Sequence, residues 1–203
     1  MLYLIRHGRT ANNAARLLQG RVDTPLDELG EQQAAAAGEV FSRAGVHFAK
    51  IYSSPLMRAV RTAELAAPGV PVVTEERLLE MDPGPYEGMS LMDPAPEVEA
   101  FFSDFKHVPA PEGMESLEAV VERLGEFLEE IREEAAGQDI LVSTHAIAMK
   151  GALEYLTPDA DGKFWSLMLP NCGVYRAEVL PGGAYGVPEA WPERHETKGL
   201  FAR

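Results

Sequence analysis

The chain has 203 residues, of which 46% are hydrophobic and 25% charged, so it can bury a substantial core and has the composition of a globular protein. Its formal net charge of −14 excludes a surface built for nucleic acid or anionic membrane, because both need clustered lysine and arginine. No apolar stretch approaches the roughly 20 residues of a membrane span, and the single cysteine, Cys172, excludes an intrachain disulfide. The short apolar start is broken by Arg6, so we expect no signal peptide and a cytoplasmic protein.

The first part of the chain alternates short strands with a helix. Residues 2–5 form an apolar run that is typical of a short buried strand. A helix is predicted over residues 28–44, because Asp27 can cap its amino end and Gly45 can end it. Residues 50–53 give a second predicted strand.

A second helix, a third strand and a proline-containing insertion follow. Pro55 suits the first position of a helix that runs to about residue 67, and residues 72–74 form the third strand. Prolines recur over residues 83–96 and 108–113, which indicates a loop or cap and not a domain boundary. We therefore expect one domain over residues 1–203, with a cap insertion at about 88–116.

The last part of the chain holds the clearest helix and a strand that leads to a histidine. Residues 117–135 carry apolar side chains at helical spacing. Residues 139–144 form a buried strand that leads to His145, and a helix follows over about 146–155. A final strand and turn are predicted over residues 174–183.

This alternation of strands and helices predicts a mostly parallel sheet in a three-layer α/β/α sandwich. In such folds, ligands bind beyond the carboxyl ends of the strands. Arg6 and His7 follow the first strand, and His145 follows the strand at 139–144. Because this placement uses only the positions of the strands, it independently indicates a site where the two histidines meet.

A set of short motifs is distributed along the chain. They are Arg6-His7-Gly8 followed by Thr10 and Asn13, Gln19-Gly20, Ser53-Ser54-Pro55-Leu56-Met57-Arg58-Ala59, Leu79-Glu80-Met81 leading to Tyr86-Glu87-Gly88, and Ser143-Thr144-His145-Ala146. The combined set resembles the histidine phosphatase superfamily, also called the phosphoglycerate-mutase-like family, over nearly the whole chain. The Arg-His-Gly triplet alone is a weak signal, and its combination with the later motifs is a strong one.

The resemblance implies a mechanism that passes through a phosphohistidine. His7 would attack phosphorus, since neutral imidazole is a good nucleophile near pH 7 and a covalent intermediate divides one difficult displacement into two. Arg6 and Arg58 would hold the equatorial oxygens, because guanidinium is always charged and can bind two oxygens at once. His145 would add a further donor. The result is a pocket of fixed positive charge suited to phosphoryl transfer.

The resemblance also implies a proton donor and further binding residues. Glu80 would protonate the leaving oxygen and later activate water, provided that burial or a nearby phosphate dianion keeps it protonated near neutral pH. Glu87 is the rival acid, but its place in the family pattern favours a structural role. The groups expected to contact phosphate or the adjoining substrate are Asn13, Gln19, Gly20 and the backbone N–H of Ala146.

The sequence departs from the family pattern near two of these residues. The family often has glutamate where this chain has Arg9, and the added positive charge could reach a second anionic group of the substrate or point to solvent. Pro83 and Pro85 stiffen the loop after Glu80.

We expect neither a metal nor another cofactor. The histidines show no ligand-type spacing and the chain has no glycine-rich nucleotide loop. The three that lie outside the motifs, His47, His107 and His195, are expected at the surface.

Phosphatases and mutases of this family share the histidine chemistry and differ in whether water or a substrate hydroxyl takes the phosphoryl group. Between Gly88 and Ser116 the chain has one lysine, Lys106, and no arginine, with an apolar helix expected near residues 97–106. A cap of this kind holds a small polyanion poorly and favours hydrolysis. We therefore expect a phosphomonoester hydrolase, with a cofactor-dependent phosphoglycerate-mutase-type phosphotransferase as the alternative.

A third possibility is an inactive module that binds a phosphorylated ligand, but such a protein would lack His7, Glu80 or an arginine of the set. The expected partner is a small phosphorylated metabolite, with no nucleic acid and no membrane. Sugar phosphates, phosphorylated nucleosides or cofactor precursors, and phosphorylated carboxylic acids all stay open as substrates, as do the monomer and the homodimer.

Overall fold

The computed structural model describes residues 1–192, and His195 lies outside them. Six strands form one sheet: β1 (Leu2–Arg6), β2 (Phe48–Ser53), β3 (Val72–Thr74), β4 (Asp139–Thr144), β5 (Val174–Ala177) and β6 (Glu189–Trp191). Their order across the sheet is β3-β2-β4-β1-β5-β6. The first four strands in this order are parallel, and β5 and β6 are antiparallel to their neighbours.

Seven α-helices accompany the sheet within the described residues. They are α1 (Ala11–Ala14), α2 (Glu28–Arg43), α3 (Met57–Ala66), α4 (Pro96–Ser103), α5 (Leu117–Glu130), α6 (Arg132–Gly137) and α7 (Ala146–Leu156). None of these helices is both long and apolar enough to cross a bilayer.

Helices cover both faces of the sheet, because successive apolar side chains of a strand point to opposite faces. Leu2 and Leu4 of β1 point into one core cluster, which includes side chains of α5 and α7. Tyr3 and Ile5 point into a second cluster, which includes Phe41 of α2 and side chains of α3. The predicted three-layer α/β/α fold with a mostly parallel sheet is confirmed.

Two predicted helix boundaries are wrong. Leu56 still has extended backbone (φ −69°, ψ 135°) and is the N-cap of α3, so Pro55 lies before the helix and not at its first position. The helix predicted over residues 117–135 is divided at Ile131, which caps both α5 and α6; its backbone (φ −90°, ψ 0°) departs from ideal helical values while its side chain stays buried. Two elements, α1 and β6, were not predicted.

The proline-containing insertion packs onto the main core. Its helix α4 begins at Pro96 and places Val98 and Phe101 in the core cluster shared with α5 and α7. Beyond the helix, Lys106 forms an ion pair of 2.5 Å with Asp161, which joins the insertion to the segment after α7.

The register of the parallel strands brings their carboxyl ends together. Arg6 pairs with Thr144 across β1 and β4, and Ser53 pairs with Ser143 across β2 and β4. The residues that follow these three neighbouring strands therefore lie side by side at one edge of the sheet.

Candidate active site

His7 follows β1 directly and is almost completely buried, with 3% of its surface exposed. Its Nδ1 lies 2.7 Å from the carbonyl oxygen of Gly8. Because a carbonyl oxygen only accepts hydrogen bonds, Nδ1 must carry the hydrogen, which leaves the lone pair on Nε2. The backbone holds this arrangement tightly: a Cβ on Gly8 would lie 2.4 Å from the carbonyl oxygen of Gly30, so only glycine fits.

Burial and two guanidinium groups keep the His7 ring neutral. Desolvation is the largest effect, and the charges of Arg6 and Arg58 add to it, so the pKa of His7 lies well below its usual range. At neutral pH the imidazole is therefore unprotonated at Nε2 and competent as a nucleophile.

Arg58 on α3 is wholly buried and ties the site to a neighbouring loop. Its Nη1 donates to the carbonyl of Val22 at 2.8 Å and its Nη2 to the carbonyl of Gly20 at 2.7 Å. Arg6 donates from Nη1 to the carbonyl of Leu169. Neither arginine forms an ion pair with any described residue, and the Nε of each is buried without a hydrogen-bond partner. Burial lowers the pKa of both, but guanidinium groups stay charged at neutral pH.

His145 lies opposite His7 at the N-cap of α7. The centroids of the two rings are 5.1 Å apart, and His145 is wholly buried. Its Nε2 lies 2.7 Å from Oγ of Ser54, while its Nδ1 is buried without a partner. Burial, followed by the charge of Arg58, places the pKa of His145 well below its usual range, so this ring is also neutral.

Glu80 belongs to a distant segment, but its carboxyl group lies at the amino end of α7, and 6% of the residue's surface is exposed. Its Oε1 accepts hydrogen bonds from the N–H groups of Met81 (2.9 Å), Ile147 (3.1 Å) and Ala148 (3.0 Å). The amino end of α7 therefore holds the carboxyl group of Glu80 through the N–H groups of Ile147 and Ala148. These two residues follow Ala146, whose N–H is the one that the family resemblance assigns to phosphate.

The loop at residues 19–22 contacts the guanidinium group of Arg58. Oε1 of Gln19 accepts from the Thr10 hydroxyl at 2.8 Å, and Nε2 of Gln19 is buried without a partner. The N–H of Gly20 donates to Glu87 at 2.9 Å and its carbonyl accepts from Arg58, so both of its backbone polar groups are engaged. Glu87 also accepts from the N–H of Arg21 at 2.7 Å, which fits the structural role expected for it.

Asn13 and Arg9 differ in their relation to the site. Asn13 forms a capping box with Thr10, and its Oδ1 accepts from Nδ2 of Asn171 at 3.3 Å. Arg9 stands where the family often has glutamate, and it forms an ion pair of 2.7 Å with Asp27, the N-cap of α2. The added positive charge is therefore paired within the protein.

Sequence reasoning missed two residues of this region. Nδ2 of Asn171 donates to the carbonyl of His7 at 3.0 Å and so fixes the backbone of His7, although 164 positions separate the two residues. Lys150 on α7 is buried close to Arg6 and Glu80. Its place four residues after Ala146 was the available signal, because helical residues at this spacing share a face.

Buried nitrogens without partners are concentrated around His7. Six buried side-chain nitrogen or oxygen atoms lack a hydrogen-bond partner in residues 1–192, and four belong to the predicted site: Nε of Arg6, Nε of Arg58, Nδ1 of His145 and Nε2 of Gln19. Each unpaired buried polar atom costs about 1–3 kcal/mol, so such a concentration is typical of a site prepared for an anion. No group of three or more His, Cys, Asp or Glu side chains in the described part of the chain is arranged to hold a metal ion.

Comparison with known proteins gives the same family. The model of the histidine phosphatase superfamily (branch 1) matches residues 2–187. Phosphoserine phosphatase 1 of Hydrogenobacter thermophilus is 35% identical over 175 residues, which is 84% of this chain and 82% of the relative. A probable phosphoglycerate mutase of Yersinia pestis is 32% identical over 183 residues, which is 87% of this chain and 84% of the relative.

The fold agrees with solved structures as well. The phosphoserine phosphatase of Entamoeba histolytica, in complex with 3-phosphoglyceric acid, superposes with a TM-score of 0.78 and 25% identity over 94% of each chain. Phosphatases and mutases among the relatives support the expected enzyme with phosphomonoesterase activity. The chain therefore belongs to the histidine phosphatase superfamily.

Proposed function

We propose that this chain is a phosphomonoester hydrolase that works through a phosphohistidine on Nε2 of His7. The observation that carries the proposal is the set of partnerless buried nitrogens around a neutral, tautomer-fixed histidine. A phosphoryl group bound in line with Nε2 would give these nitrogens the acceptors that they lack, and the nucleophile would need no further activation.

In the first step, Nε2 of His7 forms a bond to phosphorus as the bond from phosphorus to the leaving oxygen breaks. Arg6 and Arg58 hold the equatorial oxygens with the N–H groups that they do not use within the protein. For His145, the hydroxyl of Ser54 donates to Nε2, so that Nδ1 carries a hydrogen and donates to the phosphoryl group.

Glu80 gives its proton to the leaving oxygen in this step. Its Oε1 accepts from three backbone N–H groups, and a phosphate dianion beside the carboxyl group favours the protonated acid. In the second step water attacks phosphorus, its proton passes to the Glu80 carboxylate, and the bond from phosphorus to nitrogen breaks to restore neutral His7.

The remaining predicted binding residues contribute in different ways. Thr10 fixes the amide of Gln19 and leaves its Nε2 free to donate to the substrate. The Oδ1 of Asn13 is occupied, so its Nδ2 is the atom available to a ligand. Gly20 has no free backbone donor, and we propose that it positions Arg58 instead of contacting phosphate. The N–H of Ala146 stays the predicted phosphate donor.

Residues 88–116 form the proposed cap on the leaving-group side, and the substrate is a small phosphorylated metabolite. The phosphoserine phosphatase of Entamoeba histolytica was solved with 3-phosphoglyceric acid, so this compound and phosphoserine belong in the first substrate panel. Similarity to a probable phosphoglycerate mutase makes phosphoryl transfer to a second substrate the alternative. The cytoplasmic location and the choice between monomer and homodimer stay predictions.

The deciding experiment is a phosphomonoester panel assayed with the wild type, His7→Ala and the exposed-histidine control His47→Ala. We expect phosphate release by the wild type and the control, none above background by His7→Ala, and acid-labile phosphate on the wild type and the control but not on His7→Ala. Equal turnover by His7→Ala would refute the nucleophile. Turnover that depends on 2,3-bisphosphoglycerate and a phosphoglycerate acceptor would establish the mutase instead.

A second experiment tests the proton donor. Glu80→Gln should lose activity about 100-fold or more on an alkyl phosphate, whose leaving oxygen needs a proton. It should lose much less on an activated aryl phosphate, whose leaving group departs as an anion. An equal loss on both esters would contradict the acid role.

A further inference from the structure

Lys150 is a buried cation to which the proposed mechanism gives no role. It lies on α7 with 8% of its surface exposed, and its Nζ donates to the carbonyl of Trp165 at 2.7 Å. The same Nζ lies 5.1 Å from the centroid of the Phe105 ring, in the segment that follows α4. Among residues 1–192, no carboxylate lies within ion-pair distance of Nζ, and its hydrogen bond to the Trp165 carbonyl uses one of its three N–H groups.

The direction of this side chain follows from helix geometry. Lys150 lies four residues after Ala146 and three after Ile147, so it shares their face of α7. Long side chains of a helix lean toward its amino end, which in α7 is the end that holds His145 and Glu80. This tendency favours a side chain that leans toward the catalytic end of the helix, with its Nζ beside the carbonyl of Trp165 and the ring of Phe105.

Electrostatics agree with this placement. Burial lowers the pKa of Lys150 to about 8, while the carboxylate of Glu80 opposes this shift and Arg6 adds to it. These two charged groups line the phosphoryl site, so Lys150 lies within electrostatic range of it. At neutral pH most of the population still carries the ammonium charge.

The leaving group of the substrate must occupy this neighbourhood. Its oxygen has to reach Glu80, whose carboxyl group accepts from the N–H of Ile147, and Lys150 lies three residues further along the same helix. A buried ammonium without a counter-ion is costly, and a substrate anion would offset that cost while using its free N–H groups.

We propose that Lys150 binds a carboxylate of the leaving group, so that the enzyme prefers phosphorylated carboxylic acids. This inference rests on the proposed phosphatase function. It also revises the expectation that the cap at residues 88–116 holds a small polyanion poorly. The positive charge that this segment lacks is supplied by Lys150 of α7.

Matched substrates test the proposal directly. 3-Phosphoglycerate and glycerol 3-phosphate differ only in a carboxylate against a hydroxymethyl group, and phosphoserine and phosphoethanolamine differ only in a carboxylate against hydrogen. The wild type should show a higher kcat/KM on the carboxylate member of each pair. Lys150→Met should reduce that preference by about 10- to 100-fold, the range expected for a hydrogen bond between charged groups, with most of the change in KM. Lys150→Arg, which keeps the charge, should retain part of the preference.

Control measurements separate binding from a purely structural role. Lys163→Met removes an exposed lysine from the neighbouring segment and should leave the preference unchanged. If Lys150 only anchors Trp165, Lys150→Met loses activity equally on both members of a pair, and the proposal is overturned. The same holds if the wild type shows no preference. Should Lys150→Met fail to fold, Lys150→Gln replaces it.

Failure of the proposed function is distinguishable from failure of this inference. If the wild type hydrolyses no phosphomonoester, calorimetric Kd values for 3-phosphoglycerate and glycerol 3-phosphate still report the carboxylate preference in the wild type and in Lys150→Met. Equal affinities in the wild type would overturn the carboxylate site.

Discussion

Replacing Arg58 with lysine keeps the positive charge but removes the planar fork of donors. The guanidinium is wholly buried and donates to two loop carbonyls at once, those of Gly20 (2.7 Å) and Val22 (2.8 Å), while its Nε remains unpaired. Lysine offers three N–H groups from a single nitrogen, so it cannot reach both carbonyls and a phosphoryl oxygen in the same geometry. At least one of these acceptors must lose its partner.

The size of the loss follows from the bonds involved. A hydrogen bond to a charged group contributes about 1.5–3 kcal/mol, and 1.4 kcal/mol corresponds to a factor of ten, so one lost bond lowers kcat/KM about 10- to 100-fold. Arg58→Met removes the charge together with every donor, and we expect it to lose about 1,000-fold or more.

The assay measures kcat/KM on one phosphomonoester for the wild type, Arg58→Lys and Arg61→Lys. Arg61 lies three residues further along α3, is exposed, and pairs with Glu31 and Glu64, so its replacement by lysine should stay within about twofold of the wild type. Urea unfolding of each protein separates a loss of fold from a loss of function. If Arg58→Lys is as active as Arg61→Lys, the double role assigned to the fork is refuted.

Three further predictions concern the anion site and its histidines. Inorganic phosphate at about 100 times its Kd should raise the free energy of unfolding by about 2.7 kcal/mol, and an unchanged urea midpoint would contradict an anion site. The pKa of His7 is lower in the native state than in the unfolded chain. Below about pH 6.5 the unfolded state therefore binds a proton that the native state does not bind, and the free energy of unfolding falls as the pH falls. In urea unfolding, His7→Gln should reduce that slope by about 0.7 kcal/mol per pH unit at pH 6.5, where about half of the unfolded histidines are protonated, and by nearly 1.4 kcal/mol per pH unit further below it. Equal slopes would argue against a suppressed pKa. Ser54→Ala removes the partner of His145 at 2.7 Å and should lower kcat/KM about tenfold. Ser53→Ala, whose hydroxyl bonds only the carbonyl of Ser54, should not; equal effects would contradict the role of Ser54.

The parts of the fold that could be predicted are those with a strong local signal. The continuous apolar run of β1 and the Asp27 cap of α2 are both visible in consecutive residues of the sequence, and both are present in the structure. The four residues of α1 and the three of β6 are too short for a periodic pattern; α1 is held by the capping box between Thr10 and Asn13, and β6 by its pairing with β5. The interruption at Ile131 left no mark either, since apolar spacing continues through it.

The site divides in the same way. His7, Arg58, Glu80 and His145 were identifiable because each belongs to a contiguous motif. The contact of Asn171 with the carbonyl of His7 joins distant parts of the chain and has no local pattern. Positions of this kind become visible only when β1 and β5 are paired, which brings the turn before β5 next to the residue that follows β1.

Glu80 connects the electrostatics of the free protein with the proposed proton transfer. Its carboxylate favours the charged forms of Arg6, Arg58 and Lys150, so one buried negative charge partly compensates three buried cations. A phosphorylated substrate that carries a carboxylate brings negative charge to all three, and the compensation by Glu80 is no longer needed. Its own ionised form then lies beside a dianion and becomes unfavourable, which makes it protonated at the point in the cycle where an acid is required. In this mechanism, substrate binding itself prepares the proton donor, and the three N–H groups that donate to Oε1 of Glu80 hold its carboxyl group in place.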